Sequence, residues 1–193
     1  AYRGEVNKLK ELVNKNKPSS GSLTVRNINL KRFSEEMEIF RRLCDETIGK
    51  TELYKPTEKG HFYELMKDML FFLRPENILF ACDGDHEVGF IFWYPDYNRI
   101  LPSGKPISDI GLAIRYLIKH NKIDTAKINS IGVLDRYIGR ATSLLINETA
   151  KYILSDGYRY VETTFVWDSN LPSRALNRYL FCSNGDNGAA RLY

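Results

Sequence analysis

The chain has 193 residues, of which 43% are hydrophobic and 27% are charged. This length and composition are typical of one globular domain with a sizeable core, and they exclude a chain that is disordered by composition. The formal net charge is +4, a mildly basic balance that suits a polyanionic small ligand and is too weak, taken alone, to indicate nucleic acid.

The cysteines and the apolar runs indicate the compartment. Cys44, Cys82 and Cys182 form an odd and widely spaced set without a CxxC pair. Such a set indicates neither a disulfide framework nor a zinc site, so we expect a reducing, cytoplasmic compartment and no metal. No run approaches the roughly 18 apolar residues of a transmembrane helix, and the N-terminus lacks the apolar centre of a signal peptide, so no membrane partner is expected.

The first 21 residues are predicted to form an N-terminal helix followed by a linker. Val6, Leu9 and Val13 recur at helical spacing, which predicts a helix over residues 4–16, and the KPSSGS sequence after them has the composition of a linker. We expect this segment to pack on the main domain, residues 22–193, or on a second copy of the chain, which leaves a homodimer open.

The first half of the main domain is predicted to contain a strand, two helices and a hairpin. Ser22–Leu30 alternates as a strand does, and apolar helical faces follow at Phe33–Cys44 and Phe62–Leu73. Two β-rich runs, Asn77–Asp83 and Glu87–Pro95, are separated by a short Gly-Asp-His turn. This arrangement predicts an antiparallel hairpin.

The second half is predicted to alternate helices and strands. Apolar spacing indicates a helix at Ile107–Leu117, and strands are expected at Lys127–Leu134 and Tyr158–Trp167. Leu145–Leu154 has the pattern of a helix between these strands, and Asn170 begins a last helix. Because a strand–helix–strand unit makes its strands parallel neighbours, we expect an α/β fold with a mixed sheet and helices on both faces.

The turn Arg136–Ala141, between the first of these strands and its helix, has the features of an anion site. Backbone N–H groups and the helix dipole converge at such a turn. Gly139 and Ala141 let phosphate oxygens approach the backbone, and Arg136 and Arg140 can donate charge-assisted hydrogen bonds. A glycine in a tight strand-to-helix turn needs no ligand, so a purely structural turn stays open.

The RYIGRA sequence of this turn resembles the Q/R-x-x-G-x-G/A motif of the GNAT superfamily of acyl-CoA N-acyltransferases. The likeness extends over Asn77–Asn177 and includes INSIGVL before the motif, the following helix with its Gly-Tyr strand entry, and Asn170. PDYN at Pro95–Asn98, together with a Glu162–Asn170 pair, resembles one poorly characterised subgroup. Few residues follow Phe181, where the family usually has two closing strands.

The resemblance implies a GNAT-like fold, with a mixed, mostly antiparallel sheet, helices on both faces and a splayed central strand pair. It implies acetyl-CoA as cosubstrate and an N-acetyltransferase that acylates a primary amine, on a small molecule or a peptide, by direct attack. The residues that would hold the cofactor by this likeness are Ile131, Gly132, Val133, Arg136, Tyr137, Ile138, Gly139, Arg140, Ala141, Thr142, Asn170 and Arg174.

Glu162 is the candidate catalytic base, because an alkyl amine with a pKa of about 10.4 must lose a proton before it attacks a thioester. A solvated or salt-bridged carboxylate is the alternative for this strand residue. Tyr94 and Asp96, which end the hairpin, are expected near the acceptor cleft or in a simple strand-end turn. A backbone N–H of Ile131–Val133 is expected to bind the oxygen of the tetrahedral intermediate.

Two other classes stay open on the sequence. One is a non-catalytic acyl-CoA-binding or interaction module of the same fold, and the other is an unrelated α/β scaffold whose turn is purely structural. Measured thioester consumption separates the enzyme from the module, and stabilisation by CoA separates both from the scaffold.

Overall fold

The structure, a computed structural model, describes residues 3–15, 22–49, 58–67, 69–101, 108–164 and 177. The strands within these ranges are β1 (Arg3–Glu5), β2 (Leu23–Asn27), β3 (Ile78–Asp83), β4 (His86–Pro95), β5 (Thr125–Val133) and β6 (Tyr160–Thr163). The helices are α1 (Asn7–Lys15), α2 (Phe33–Thr47), α3 (Lys59–Lys67), α4 (Asp109–Lys119) and α5 (Arg140–Ser155).

The six strands form one sheet in the order β1-β6-β5-β4-β3-β2. β5 and β6 are parallel, as expected for strands joined by a helix, and every other neighbouring pair is antiparallel. The predicted hairpin is β3–β4. The sheet is therefore mixed and mostly antiparallel, which confirms the predicted fold class.

The central strands β5 and β6 separate part-way along their length. Thr125–Ile128 pairs with Tyr160–Thr163, and the Thr164 N–H donates to the Ile128 carbonyl at 3.1 Å. Beyond this point β5 runs on to Val133 beside β4, and within the described ranges no strand pairs with its other edge. The pair is splayed, and half of β5 has an open edge.

A β-bulge lies at the point of separation. Phe92 of β4 is opposite Ser130, and the next residue, Trp93, is opposite Ile128, which leaves Asn129 without a partner in the β4–β5 ladder. A bulge of this kind bends the strand and increases its twist. The bulge lies directly after Ile128, the last residue of β5 that pairs with β6.

Alternation along the strands divides the core between the two faces of the sheet. Ile91, Trp93 and Val161 are buried in the cluster that α1 and α5 cover. Phe80 and Phe90 are buried in the cluster that α2 and α3 cover. Helices thus lie on both faces, and apolar burial on both faces is the main stabilising contribution.

The N-terminal segment joins this sheet through a strand that the sequence pattern did not predict. β1 pairs with β6, and Val6 and Leu9 are buried beside α5. The helix is shorter than expected, beginning at Asn7 rather than at residue 4. The division of the chain at residue 22 and the homodimer stay predictions.

Some expected elements lie outside the described residues. The predicted strand Tyr158–Trp167 is described as far as Thr164, with β6 at its centre. Of the helix expected from Asn170 only Asn177 is described, where it is helical and buried, and the chain after Phe181 is not described. Of the helices that are described, none has both the length and the apolar character needed to cross a membrane.

Candidate functional site

The predicted anion loop leaves the open half of β5 and enters α5. A single 3-10 turn at Asp135–Tyr137 precedes Gly139, whose φ of +91° is a conformation that residues with side chains rarely adopt. A Cβ placed on Gly139 would meet no atom within 4 Å. The glycine is thus needed for the backbone turn, and the space in front of it is open.

The first turn of α5 has no side-chain cap. Gly139 occupies the N-cap position, and the Ser143 N–H is the donor that reaches the Gly139 carbonyl, at 3.0 Å. The N–H groups of Arg140, Ala141 and Thr142 come before that first intrahelical bond, so they have no acceptor within the helix. A 16-residue helix whose N-terminus is uncapped in this way presents partial positive charge and several N–H donors to an anion.

The loop side chains divide into an outer and an inner set. Arg136, Ile138 and Arg140 are exposed, and the Arg136 guanidinium lies over the Tyr137 ring, 4.7 Å from its centroid, so a ligand can approach both arginines from solvent. Tyr137 points inward, is buried, and donates a hydrogen bond of 2.8 Å to Asp83 Oδ2. Tyr137 can therefore contact an anion through its backbone only, while its ring anchors the loop.

Asp83, at the end of β3, receives two hydrogen bonds. Its other carboxylate oxygen accepts from the Ser22 hydroxyl at 2.8 Å. These bonds from Ser22 and Tyr137 hold the pKa of Asp83 below its ordinary value. The hydrogen bond between Tyr137 and Asp83 also raises the pKa of Tyr137. The ionised carboxylate thus links the loop to the hairpin and to the start of β2.

The open edge of β5 carries backbone donors. The Leu134 N–H donates to the Val88 carbonyl at 2.9 Å, so alternation directs the N–H of Gly132 towards β4 as well. The N–H groups of Ile131 and Val133 therefore point towards the open side. These are the donors that the sequence predicted for an extended ligand and for a developing oxyanion.

Gly132 is required by packing on the α2 face. A Cβ at this position would overlap the Thr47 hydroxyl and lie 2.6 Å from Cε1 of Phe90. The glycine thus lets the end of α2 approach β5 closely. Gly132 could take part in ligand binding only through its backbone.

Glu162 lies at the other end of the open edge. It is directly opposite Lys127 on β5, whose Nζ is 4.0 Å from Glu162 Oε1 and 3.1 Å from Asp96 Oδ1. The Asp96 side chain is 7% exposed and that of Glu162 is 22% exposed. Asp96 also pairs through Oδ2 with Arg99 at 3.3 Å.

Tyr94 completes this cluster. Its hydroxyl donates to the Asn129 side chain at 3.5 Å, and its ring stacks parallel to that of Tyr97. Burial raises the pKa of Tyr94; Lys127 acts in the opposite direction. The phenol is therefore protonated at neutral pH and able to donate.

The structure brings together residues that the sequence considered separately. Tyr94, Asp96 and Glu162 lie in one cluster, whereas the sequence reasoning did not consider Lys127 or Asn129. The available signal for Lys127 was that it is the charged residue of β5, whose other residues are uncharged; the bulge at Asn129 left no signal in the sequence. Asn170 and Arg174 lie outside the described residues.

No candidate metal site is found in the part of the chain that the structure describes. There, no three His, Cys, Asp or Glu side chains come close enough together to hold an ion. The absence of a metal stays a prediction.

Solved structures with a similar fold are acetyltransferases. Aminoglycoside N-acetyltransferase AAC(6')-Iy, solved with CoA, matches with a TM-score of 0.57 at 14% identity, over 92% of this chain and 96% of that one. A GCN5-related N-acetyltransferase from Sphaerobacter thermophilus matches with a TM-score of 0.51 at 18% identity, over 81% of this chain and 39% of that one. The chain has the GNAT fold, as the sequence predicted.

Among curated proteins, Protein YghO of Escherichia coli (strain K12) is 27% identical over 136 residues, which are 67% of this chain and 35% of that protein. The chain thus spans about a third of the length of the curated relative that it matches. The sequence matches no model of a described protein family.

Proposed function

We propose that the protein is an N-acetyltransferase that transfers the acetyl group of acetyl-CoA to a primary amine. The observation that carries this proposal is the open edge of β5. It begins just beyond Ile128, the residue after the one paired with Glu162, presents the N–H groups of Ile131 and Val133, and leads into the uncapped N-terminus of α5. A candidate base on β6, candidate oxyanion donors on β5 and a candidate anion site at the start of α5 thus follow one another along this edge.

The binding half of the site suits CoA. The first-turn N–H groups of α5, with Arg136 and Arg140 beside them, offer donors and positive charge to the pyrophosphate. The open backbone edge of β5 offers N–H and C=O groups with which the extended amide-containing arm can pair as an added strand does. Gly132, Ala141 and Thr142 line this path through their backbones, and Asn170 and Arg174 are proposed to contact the same cofactor.

The chemical half follows from what amide formation requires. Glu162, or a water that it holds, takes a proton from the acceptor ammonium. The neutral amine attacks the thioester carbonyl, and the N–H of Ile131 or Val133 stabilises the negative charge that develops on the oxygen. The new C–N bond replaces the C–S bond, the attacking nitrogen gives up its second proton to the departing sulfur or to water, and CoA leaves without a covalent enzyme intermediate.

The acceptor is proposed to be an amine on a small molecule or a peptide. It would reach Glu162 from the α2–α3 face, where Tyr94, Asp96 and Lys127 lie. One protein of similar fold is an aminoglycoside N-acetyltransferase, which supports including aminoglycosides in a test.

Two measurements test the proposal. CoA at 100 times its Kd should raise the free energy of unfolding by about 2.7 kcal/mol. Acetyl-CoA consumption should depend on an amine when the protein is assayed with an aminoglycoside, spermidine, L-lysine and a short peptide. Stabilisation without consumption of the thioester would indicate a non-catalytic acyl-CoA-binding module, and no stabilisation at all would refute the proposal.

A further inference from the structure

Lys127 lies between two carboxylates that belong to different strands. Its Nζ is 3.1 Å from Asp96 at the end of β4 and 4.0 Å from Glu162 on β6. The lysine side chain is 19% exposed. An ammonium group so far withdrawn from water requires neighbouring anions, and the sheet supplies one from each adjacent strand.

The charges in this cluster are not shared equally. Asp96 has a second cation, because Arg99 lies 3.3 Å from its other oxygen. Arg3, opposite Glu162 on β1, places its guanidinium over the Tyr160 ring and towards the Thr125 hydroxyl. Among the described side chains, the ion pair of Glu162 is the one with Lys127. Lys127 is nearer to Asp96 than to Glu162, but Asp96 also has Arg99, so within the described residues Lys127 is the cation on which the Glu162 charge depends.

The position of this pair along the sheet determines what it can influence. Lys127 and Glu162 are opposite each other one residue before the final β5–β6 pair, Ile128 and Thr163. Tyr94 is opposite Lys127 on the other side. The ammonium group is thus fixed where the open edge begins, beside the carboxylate that an acceptor amine has to approach.

We infer that Lys127 is a positioning residue of the acceptor site, an inference that rests on the proposed function. Its ammonium holds the Glu162 carboxylate at the point where the strands separate. As a like charge, it also favours the neutral form of an amine that binds beside Glu162. The acceptor ammonium gives one proton to Glu162, Lys127 keeps its own protons, and Asp96 is the counter-ion of Lys127 once Glu162 is neutral.

This role predicts opposite effects on binding and on turnover. In Lys127→Met, the Glu162 charge is free to pair with the acceptor ammonium and to keep it protonated. We expect KM for the amine to fall by several-fold and kcat to fall about tenfold or more. A purely structural lysine would lower stability or raise KM, and would not lower KM and kcat together.

The experiment compares Lys127→Met, Lys127→Arg and the control Lys151→Met. Lys151 is on α5 and pairs with Glu148, so its removal should leave both constants unchanged. Lys127→Arg keeps the charge and should retain most of kcat. Each variant is assayed with the amine that gives the highest wild-type rate, and stabilisation by CoA shows that it is folded. Lys127→Gln carries the same prediction if the Met variant does not fold.

A folded Lys127→Met protein with unchanged kcat and KM, or with a raised KM, overturns the inference and leaves the proposed function intact. If the wild type consumes no acetyl-CoA with any amine, the proposed function fails, and spermidine binding to the CoA-loaded protein decides the role of Lys127. Calorimetry should then show tighter binding of spermidine to Lys127→Met; equal or absent binding overturns the inference.

Discussion

The hydroxyl of Tyr137 donates a 2.8 Å hydrogen bond to Asp83, and this bond joins the loop before α5 to the end of β3. The two residues are far apart in sequence, and the contact fixes a loop whose outer residues are exposed. The loop conformation thus depends on the hairpin as well as on its own glycine.

Removing this bond should weaken CoA binding. We expect Tyr137→Phe to lower CoA affinity a few-fold, because the loop backbone becomes less well ordered in the unliganded protein. Tyr152→Phe is the matched control: it removes a hydroxyl that bonds Asn27 at 3.2 Å, at the other end of α5. Calorimetric titration with CoA should show a loss of affinity for the first variant alone; equal affinities would contradict the anchoring role.

Gly139→Glu should abolish most CoA binding. The substitution places a carboxylate in the open space before α5, where the pyrophosphate is proposed to lie, and like charges repel. Gly139→Ala is the control for backbone strain at a φ of +91°. This strain should lower the free energy of unfolding by about 1–3 kcal/mol in either variant. Thermal unfolding with and without CoA is the measurement. An undiminished CoA shift in a folded Glu variant would show that the loop is not the anion site.

Glu162→Gln should lower kcat by about 10²–10⁴ while CoA binding is retained. The rate should partly recover above about pH 9, where a growing fraction of the amine is already neutral. Glu148→Gln, on the outer side of α5, is the control and should behave as the wild type. The pH dependence of acetyl-CoA consumption is the measurement, and a Gln variant with wild-type turnover at pH 7 would exclude Glu162 as the base.

Two glycines should respond to alanine in opposite directions. Gly132→Ala would force a Cβ into the Thr47 hydroxyl and the Phe90 ring, and we expect the free energy of unfolding to fall by about 1–3 kcal/mol. Gly60 lies within α3, and an added Cβ there would have no atom within 4 Å. Gly60→Ala should therefore raise the free energy of unfolding by about 0.4–1 kcal/mol. Urea denaturation measures both changes. A Gly132→Ala protein as stable as the wild type would refute the close contact between α2 and β5.

Cys44 should be inert to alkylation in the native protein. Burial raises the pKa of this thiol to about 12, with a smaller contribution from Asp45. The reactive thiolate is then about one part in ten thousand at pH 8. Treatment with iodoacetamide followed by peptide mass spectrometry should show modification in denaturant and none in buffer. Rapid native modification would mean that α2 opens readily.

The sequence predicted the fold because its signals were local and mutually consistent. Two β-rich runs joined by a short turn identified the hairpin strands, and the apolar stripe of α5 between two strands predicted the parallel pair β5–β6. β1 was missed because three residues, Arg3–Glu5, carry no alternation that could be recognised. Its formation depends on β6, which is a tertiary partner distant in sequence.

The candidate site was predictable to the extent that it rests on backbone geometry. Gly139 indicated a strand-to-helix turn, and the structure gives it a positive φ. The cluster around Glu162 was not predictable in full, since Lys127 joins it through cross-strand register. The bulge at Asn129 sets where β5 and β6 separate, and a bulge is a property of the pairing rather than of the residue type.

The pairing of β1 with β6 has a consequence for how the protein can be shortened. Arg3 is opposite Glu162, so the edge of the sheet is completed by residues from distant parts of the chain. A chain truncated to begin at residue 22 would leave β6 with a row of unsatisfied N–H and C=O groups at the edge of the sheet. Such an edge is a template for adding a strand from another copy, and the truncation also removes Val6 and Leu9 from the core, so it should favour aggregation.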